Sequence, residues 1–130
     1  MRRELKMEIK SEIMKEITDH CESMPTKESC GLVFGNGMID RCIKGKNLSN
    51  GNHTYVIDEA TSLKVFDKGF IGTYHSHLFI PAYPSSIDFS GAYFKDKLHL
   101  IYSLGTKELN AFLWNGERFV QEELVVVFGC

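Results

Sequence analysis

The chain has 130 residues, 43% of them hydrophobic and 25% charged, which is the length and composition of one globular domain with a single core and excludes disorder, collagen and coiled coil. Lys and Arg number 15 against 17 Asp and Glu, and the net charge of -2 gives no electrostatic reason to expect nucleic acid or an anionic membrane as partner. The longest apolar run is the short stretch Leu124 to Phe128, far below the roughly 20 residues of a membrane span. The first ten residues, MRRELKMEIK, lack the apolar stretch of a secretory signal, so a cytosolic, cytoplasmic location is expected.

Leu5, Met7 and Ile9 alternate with charged residues, the period of a half-buried strand. Ser11 reads as a helix N-cap, after which Ile13, Met14, Ile17, His20 and Cys21 recur at helical spacing to about Ser23, before Pro25. Cys30 to Phe34 reads as a buried strand, turned by Gly35-Asn36-Gly37 into a second strand at Met38 to Ile43, a hairpin. Gly45 to His53 reads as a polar surface loop, and Tyr55 to Ile57 as a short strand. Asp58 is placed to cap a second helix with Leu63, Val65 and Phe66 as its apolar face. Phe70 to Tyr74 is a predicted strand running into His75, the segment from Ser76 to Ser86 should be irregular around Pro81 and Pro84, and Asp88 to Phe94 has helical character. Leu98 to Leu104, Leu109 to Trp114 and Phe119 to Phe128 complete the strands. Strands and helices are mixed without strict alternation, which predicts α+β, or a mixed-sheet α/β sandwich, in one domain spanning residues 1–130.

The four cysteines, Cys21, Cys30, Cys42 and Cys130, have no CxxC spacing, which argues against a thiolate zinc site and a thioredoxin-type pair. They read as buried, reduced thiols, except Cys130, which is able to bridge two copies. The sharpest feature is His75-Ser76-His77, where a strand enters a loop. Residues two apart on a strand face the same side, so both imidazoles can reach one metal ion. The competing reading is two half-buried histidines with ordinary hydrogen bonds. Asp88, eleven residues on, can supply a third ligand or cap the following helix, and one oxygen can serve each role. Two His and one carboxylate leave a fourth position for water, as in catalytic zinc sites, with His53 and His99 as more distant fourth candidates. Zinc hydrolysis also needs a base that is not a ligand; Glu28, in the turn before the Cys30 strand, is the leading candidate, against the reading of a solvated surface carboxylate.

The same residues resemble the JAMM, or MPN-plus, metalloprotease family, whose pattern is an upstream glutamate, then His-x-His, seven residues, Ser, two residues, Asp. Here His75-Ser76-His77 is followed by LFIPAYP, Ser85 and, after two residues, Asp88, and PTKESCGLVFG resembles the family's Pro-x-x-Glu-x-Cys-Gly-Leu stretch with Glu28 at the glutamate. Tyr74, Ala82-Tyr83-Pro84-Ser85, Asn47 and Tyr55-x-x-Asp58 also fit. The resemblance implies a mixed β-sheet flanked by helices, similar to the cytidine deaminases, whose PCxxC signature is absent here. It implies one Zn2+ per chain on His75, His77 and Asp88, Glu28 as general base, and Ser85 as donor to the developing oxyanion. It further implies cleavage after the C-terminal glycine of a ubiquitin-like modifier joined to lysine or another amine. Two alternatives stand beside this: removal of an amino acid such as cysteine from a sulfur-carrier protein with a C-terminal Gly-Gly, and a non-catalytic scaffold. One departure is Leu78 in place of the proline common after the second His; with Phe79 and Ile80 it forms an apolar loop that can pack on substrate, on a second copy as a homodimer, or on its own domain.

Overall fold

Met7 and Ile9, alternating with charged neighbours, build strand β1 (Lys6–Lys10) in the computed structural model, which describes residues 6–49, 54–86, 88 and 95–129. Leu5, the start of that predicted strand, lies outside them. Helix α1 (Ser11–Glu22) follows without a connecting loop. The N-cap position is therefore Lys10, whose extended backbone belongs to β1, and Ser11 is already helical; no side chain caps this end, contrary to the role expected of Ser11. The hairpin forms as expected from β2 (Cys30–Gly35) and β3 (Met38–Lys44), with Gly37 at φ 78° in its turn.

Between the hairpin and the next helix the expected Tyr55 to Ile57 strand does not form. A single antiparallel bridge joins Asn47 and Ile57, and the Asn47 side chain takes backbone groups that a neighbouring strand would have taken. Helix α2 (Glu59–Ser62) is capped as predicted by Asp58, whose carboxylate accepts from Thr61 N at 3.2 Å. It tightens into a 3-10 turn at Leu63–Phe66. With three residues per turn, Leu63 and Phe66 share one side. That side faces solvent, at 59% and 84% exposure, so the expected apolar face is not a core face.

Strands β4 (Phe70–His77) and β5 (Lys97–Ser103) pair in parallel, and β6 (Leu109–Trp114) and β7 (Phe119–Val127) continue antiparallel. The architecture is the expected α+β mixed sheet. The sheet also closes on itself in the order β1-β3-β2-β4-β5-β6-β7. Closure comes from β7, whose first part pairs with β6 up to Glu122 and whose second part, from Glu123, pairs in parallel with β1. No helix among the described residues is long and apolar enough to cross a membrane.

Strand alternation divides the interior. Ile13, Ile17 and Cys21 of α1 pack with Ile9, Val33, Ile39, Tyr74, Leu98, Leu100, Tyr102 and Ala111 in the main core. Each fully buried Ile, Val or Leu among them contributes about 1.5–3 kcal/mol. The Tyr74 ring lies over Gly31, where any Cβ would overlap it, and its hydroxyl meets His20 Nδ1 at 2.6 Å. The far end of α1 is tied down at Glu22, which accepts from Tyr102 Oη at 2.6 Å and from Lys107 Nζ. On the opposite face of β5 and β6, Ala82, Ile101 and Phe112 form a second cluster with Phe119. Cys21 and Cys30 are buried free thiols, pushed up to about 12 by burial, and make poor nucleophiles; Cys42, expected to be buried, is a half-buried free thiol that donates to Glu16 because β3 turns it toward α1 near the surface, and Cys130 lies outside the described residues.

Candidate metal centre

The strand that buries Tyr74 in the main core turns its next residue, His75, to the other face, and with it His77. Both belong to β4, which runs two residues further than Tyr74-His75 suggested, so the pair is held by the ladders to β2 and β5. Their Nε2 atoms lie 3.2 Å apart. Asp88 completes the group: Oδ1 is 3.0 Å from His75 Nε2 and Oδ2 is 3.0 Å from His77 Nε2. One donor atom from each residue lies within 4.8 Å of the others. Burial works to raise the Asp88 carboxyl, but hydrogen bonds from both imidazoles hold it well below the usual carboxylate range. Burial likewise works against a charged His77, and the Asp88 carboxylate together with the Pro81 carbonyl raises it.

Asp88 is placed by a reciprocal pair with Ser85. Ser85 N donates to Asp88 Oδ2 at 2.9 Å, and Asp88 N donates to Ser85 Oγ at 3.2 Å, a capping box in which Ser85 is the N-cap and Asp88 the third helical position. This corrects the expectation of Asp88 as the cap. The same oxygen, Oδ2, serves both Ser85 N and His77, leaving Oδ1 to His75. Ser86 and Asp88 are helical; the rest of the predicted helix, residues 89–94, lies outside the described residues.

The intervening loop is fixed by three successive carbonyls. Ser103 Oγ donates to Ile80 O, His77 Nδ1 to Pro81 O and Asn110 Nδ2 to Ala82 O, each at 2.9 Å and each from a different strand. A loop held this way keeps its shape without a core of its own. Leu78 turns inward at 7% exposure, whereas Phe79 and Ile80 are 67% and 41% exposed. Nothing in the sequence marked Ser103 or Asn110 for this task, since their partners are backbone atoms.

Glu28 is carried to the site by the start of β2. Ser29 exchanges two hydrogen bonds with Ser76, through Ser76 Oγ at 2.8 Å and Ser29 O at 3.0 Å, which sets the residue before it beside the end of β4. Glu28 is 3% exposed, and its Oε1 is buried with no hydrogen-bond partner. Burial pushes its carboxyl up to about 7; the charge of His77 acts against that rise and the charge of Asp88 adds to it. A solvated surface carboxylate has neither property. A ring stacked on His75, that of Tyr55, completes the surroundings.

His99, a more distant candidate ligand, does not join the group. It sits one strand over with its ring edge-on to Phe119, centroids 5.0 Å apart. Burial, with a contribution from the charge of His75, lowers its pKa to about 4 from the ordinary 6.5. Between these values the unfolded chain takes up a proton that the folded chain refuses. The His99 contribution is thus present above about pH 6.5 and is lost as the pH falls toward 4, by up to about 3 kcal/mol. Urea unfolding at a series of pH values should show this slope, and His99→Phe should flatten it; an unchanged slope in the variant would assign acid sensitivity elsewhere. His53, the other distant candidate, lies outside the described residues.

Residues 10–115 match the family described as prokaryotic homologs of the JAB domain. The chain belongs to this family. The chain is similar over 95% of its length to 94% of a protein from Desulfitobacterium hafniense, at 25% identity and a TM-score of 0.81. It shares its fold with a JAB1/MPN domain protein from Archaeoglobus fulgidus, at 22% identity and a TM-score of 0.61 over 92% of this chain and 97% of that one. The same fold is found in a structure described as JAMM, a metalloprotease-like zinc site in the proteasome and signalosome, at 22% identity and a TM-score of 0.60 over 92% and 98% of the two chains. No curated protein matches the chain significantly. The expected JAMM/MPN membership holds, and with it the α+β class of the JAB fold.

Proposed function

We propose that the chain is a zinc-dependent peptidase or isopeptidase, with His75, His77 and Asp88 holding one Zn2+ and with Glu28 and Ser85 as catalytic residues. The observation that carries this reading is the convergence of two imidazoles and a carboxylate beside a buried Glu28 whose Oε1 has no partner. The donor set fits zinc: two nitrogens and one oxygen leave a fourth position, as catalytic sites require and closed structural sites do not. The buried Oε1 also fits, because a water at the centre would satisfy it. The JAMM-bearing relative, described as having a metalloprotease-like zinc site, supports the same assignment.

Bound zinc supplies a Lewis acid that polarises the scissile carbonyl and acidifies water. The chain's own residues do the rest. Glu28, its carboxyl raised toward 7 by burial, is matched to take a proton from the attacking water and to return it to the leaving amine. Ser85 Oγ accepts from Asp88 N, which leaves its hydroxyl proton available for the oxyanion. Ser85→Ala should therefore keep zinc and lose about 10²- to 10³-fold in turnover; a loss of only a few-fold, at full metal content, would reduce Ser85 to a capping residue.

The substrate we propose is a ubiquitin-like protein joined through its C-terminal Gly-Gly to lysine or another amine. Side-chain-free residues suit a narrow approach in which backbone pairs beside the metal. The test is hydrolysis of ubiquitin-like and sulfur-carrier proteins joined through the terminal glycine to lysine or to cysteine, with and without chelator. Chelator-sensitive release at the glycine is expected, and the favoured leaving group separates the isopeptidase from cysteine removal. Bound zinc without release from any of them would overturn this substrate class, and failure to take up zinc would favour the scaffold.

A further inference from the structure

The two histidines of the proposed zinc site are oriented by different means. His77 donates Nδ1–H to the Pro81 carbonyl at 2.9 Å, the usual way a metal-binding imidazole is fixed. His75 Nδ1 is buried and has no hydrogen-bond partner. What lies against the His75 ring is the Tyr55 ring, stacked with centroids 4.6 Å apart and planes at 23°. Tyr55 is in the segment between β3 and α2, where backbone pairing is confined to the Asn47–Ile57 bridge with Leu48 N on Val56 O and Asp58 N on Lys46 O; no ladder reaches Tyr55 itself, and a side chain must hold it. Asn47, itself 8% exposed, does so. Its Oδ1 accepts from Ser49 N and Val56 N at 2.9 Å, and its Nδ2 donates to Thr54 O at 3.1 Å and to Glu28 O at 2.9 Å. These four bonds use the full capacity of the amide. They grip the backbone on both sides of Tyr55 and, with the same nitrogen, the backbone of Glu28.

We propose that Asn47 and Tyr55 are positioning residues of the metal centre: Tyr55 sets the orientation of His75, and Asn47 sets Tyr55 and Glu28 relative to each other. The inference rests on the zinc reading above. Neither residue touches the reacting atoms. Tyr55 supplies by stacking the restraint that a hydrogen bond supplies to His77, and one amide ties the proposed base to the proposed ligand across two separate segments.

Zinc affinity, measured by competition with a chromogenic chelator alongside the circular dichroism and Tm of the metal-free chain, tests this without relying on turnover. Tyr55→Leu removes the ring while keeping apolar bulk and should raise the zinc Kd by about 10- to 100-fold, while Tyr55→Phe, which keeps the ring, should stay within about twofold. Asn47→Asp keeps the accepting half and loses both donors, setting a carboxylate against two carbonyls. It should weaken zinc and lower kcat with KM unchanged. A folded Tyr55→Leu or Asn47→Asp chain with wild-type zinc affinity overturns the inference, and the two variants make that outcome reachable if one of them does not fold. A wild-type chain that takes up no zinc overturns the metal centre itself, and this inference with it; equal affinities in wild type and variants overturn the inference alone.

Discussion

Glu28→Gln is expected to bind zinc at the wild-type stoichiometry and to lose about 10²- to 10⁴-fold in kcat, the range that removal of a general base removes. Glutamine has the shape of glutamate and fits the same buried space, yet it cannot take a proton from water. Its Tm should not fall. A buried carboxylate with an unpartnered oxygen contributes little to stability, because desolvation opposes the charge that burial has already pushed toward neutrality at pH 7. Metal content by mass spectrometry and steady-state kinetics on a glycine-terminated conjugate measure both halves. Turnover within tenfold of wild type would remove Glu28 from the mechanism, and loss of zinc would make it a ligand.

His77→Ala is expected to abolish stoichiometric zinc binding and to bring hydrolysis to background. Two losses combine there: one of three donors, and the hydrogen bond that holds the Pro81 carbonyl. Only His75 and Asp88 remain, and a three-ligand site reduced to two loses most of its affinity. The control is Asp88→Asn, which retains an acceptor toward Ser85 N but removes the charge that both imidazoles share. It should also lose zinc while keeping the loop in place. One equivalent of zinc retained by His77→Ala after dialysis against a weak chelator would place the metal elsewhere.

Much of this was legible before any coordinates. The period of Ile13, Ile17 and Cys21 marked α1, the Gly35-Asn36-Gly37 turn marked the hairpin, and the strand position of His75-Ser76-His77 put both imidazoles on one face. What stayed hidden is non-local. Ser11 has the right side chain for a cap, but the preceding residue is held extended by β1, and the helix starts one position early. Tyr55 to Ile57 has strand-forming residues, but Asn47 captures the backbone on either side of Tyr55. Leu63 and Phe66 read as an amphipathic face until the turn tightens and sends both outward. Glu28, the leading candidate base by its place before the Cys30 strand, is one carboxylate among 17 acidic residues; its burial, which spacing does not show, is what separates it from a surface side chain. Asp88 is expected to serve a metal and a helix start with one oxygen each, but its Oδ2 is shared between Ser85 N and His77.

The pairing of β1 with β7 has a consequence for how the molecule is made. β1 aligns with β3 at two positions, Glu8 with Met38 and Ile9 with Ile39, and with β7 at five, from Lys6 with Glu123 to Lys10 with Val127. Most of its ladder therefore waits for residues more than a hundred positions later in translation. Until β7 leaves the ribosome, β1 keeps an open backbone edge and α1 packs on an unfinished sheet, a state in which edge-to-edge association competes with folding. Closure is thus a late, long-range step, and contacts of such sequence separation slow it further. The three proposed zinc ligands, on β4 and the segment that follows, contribute no residue to that ladder.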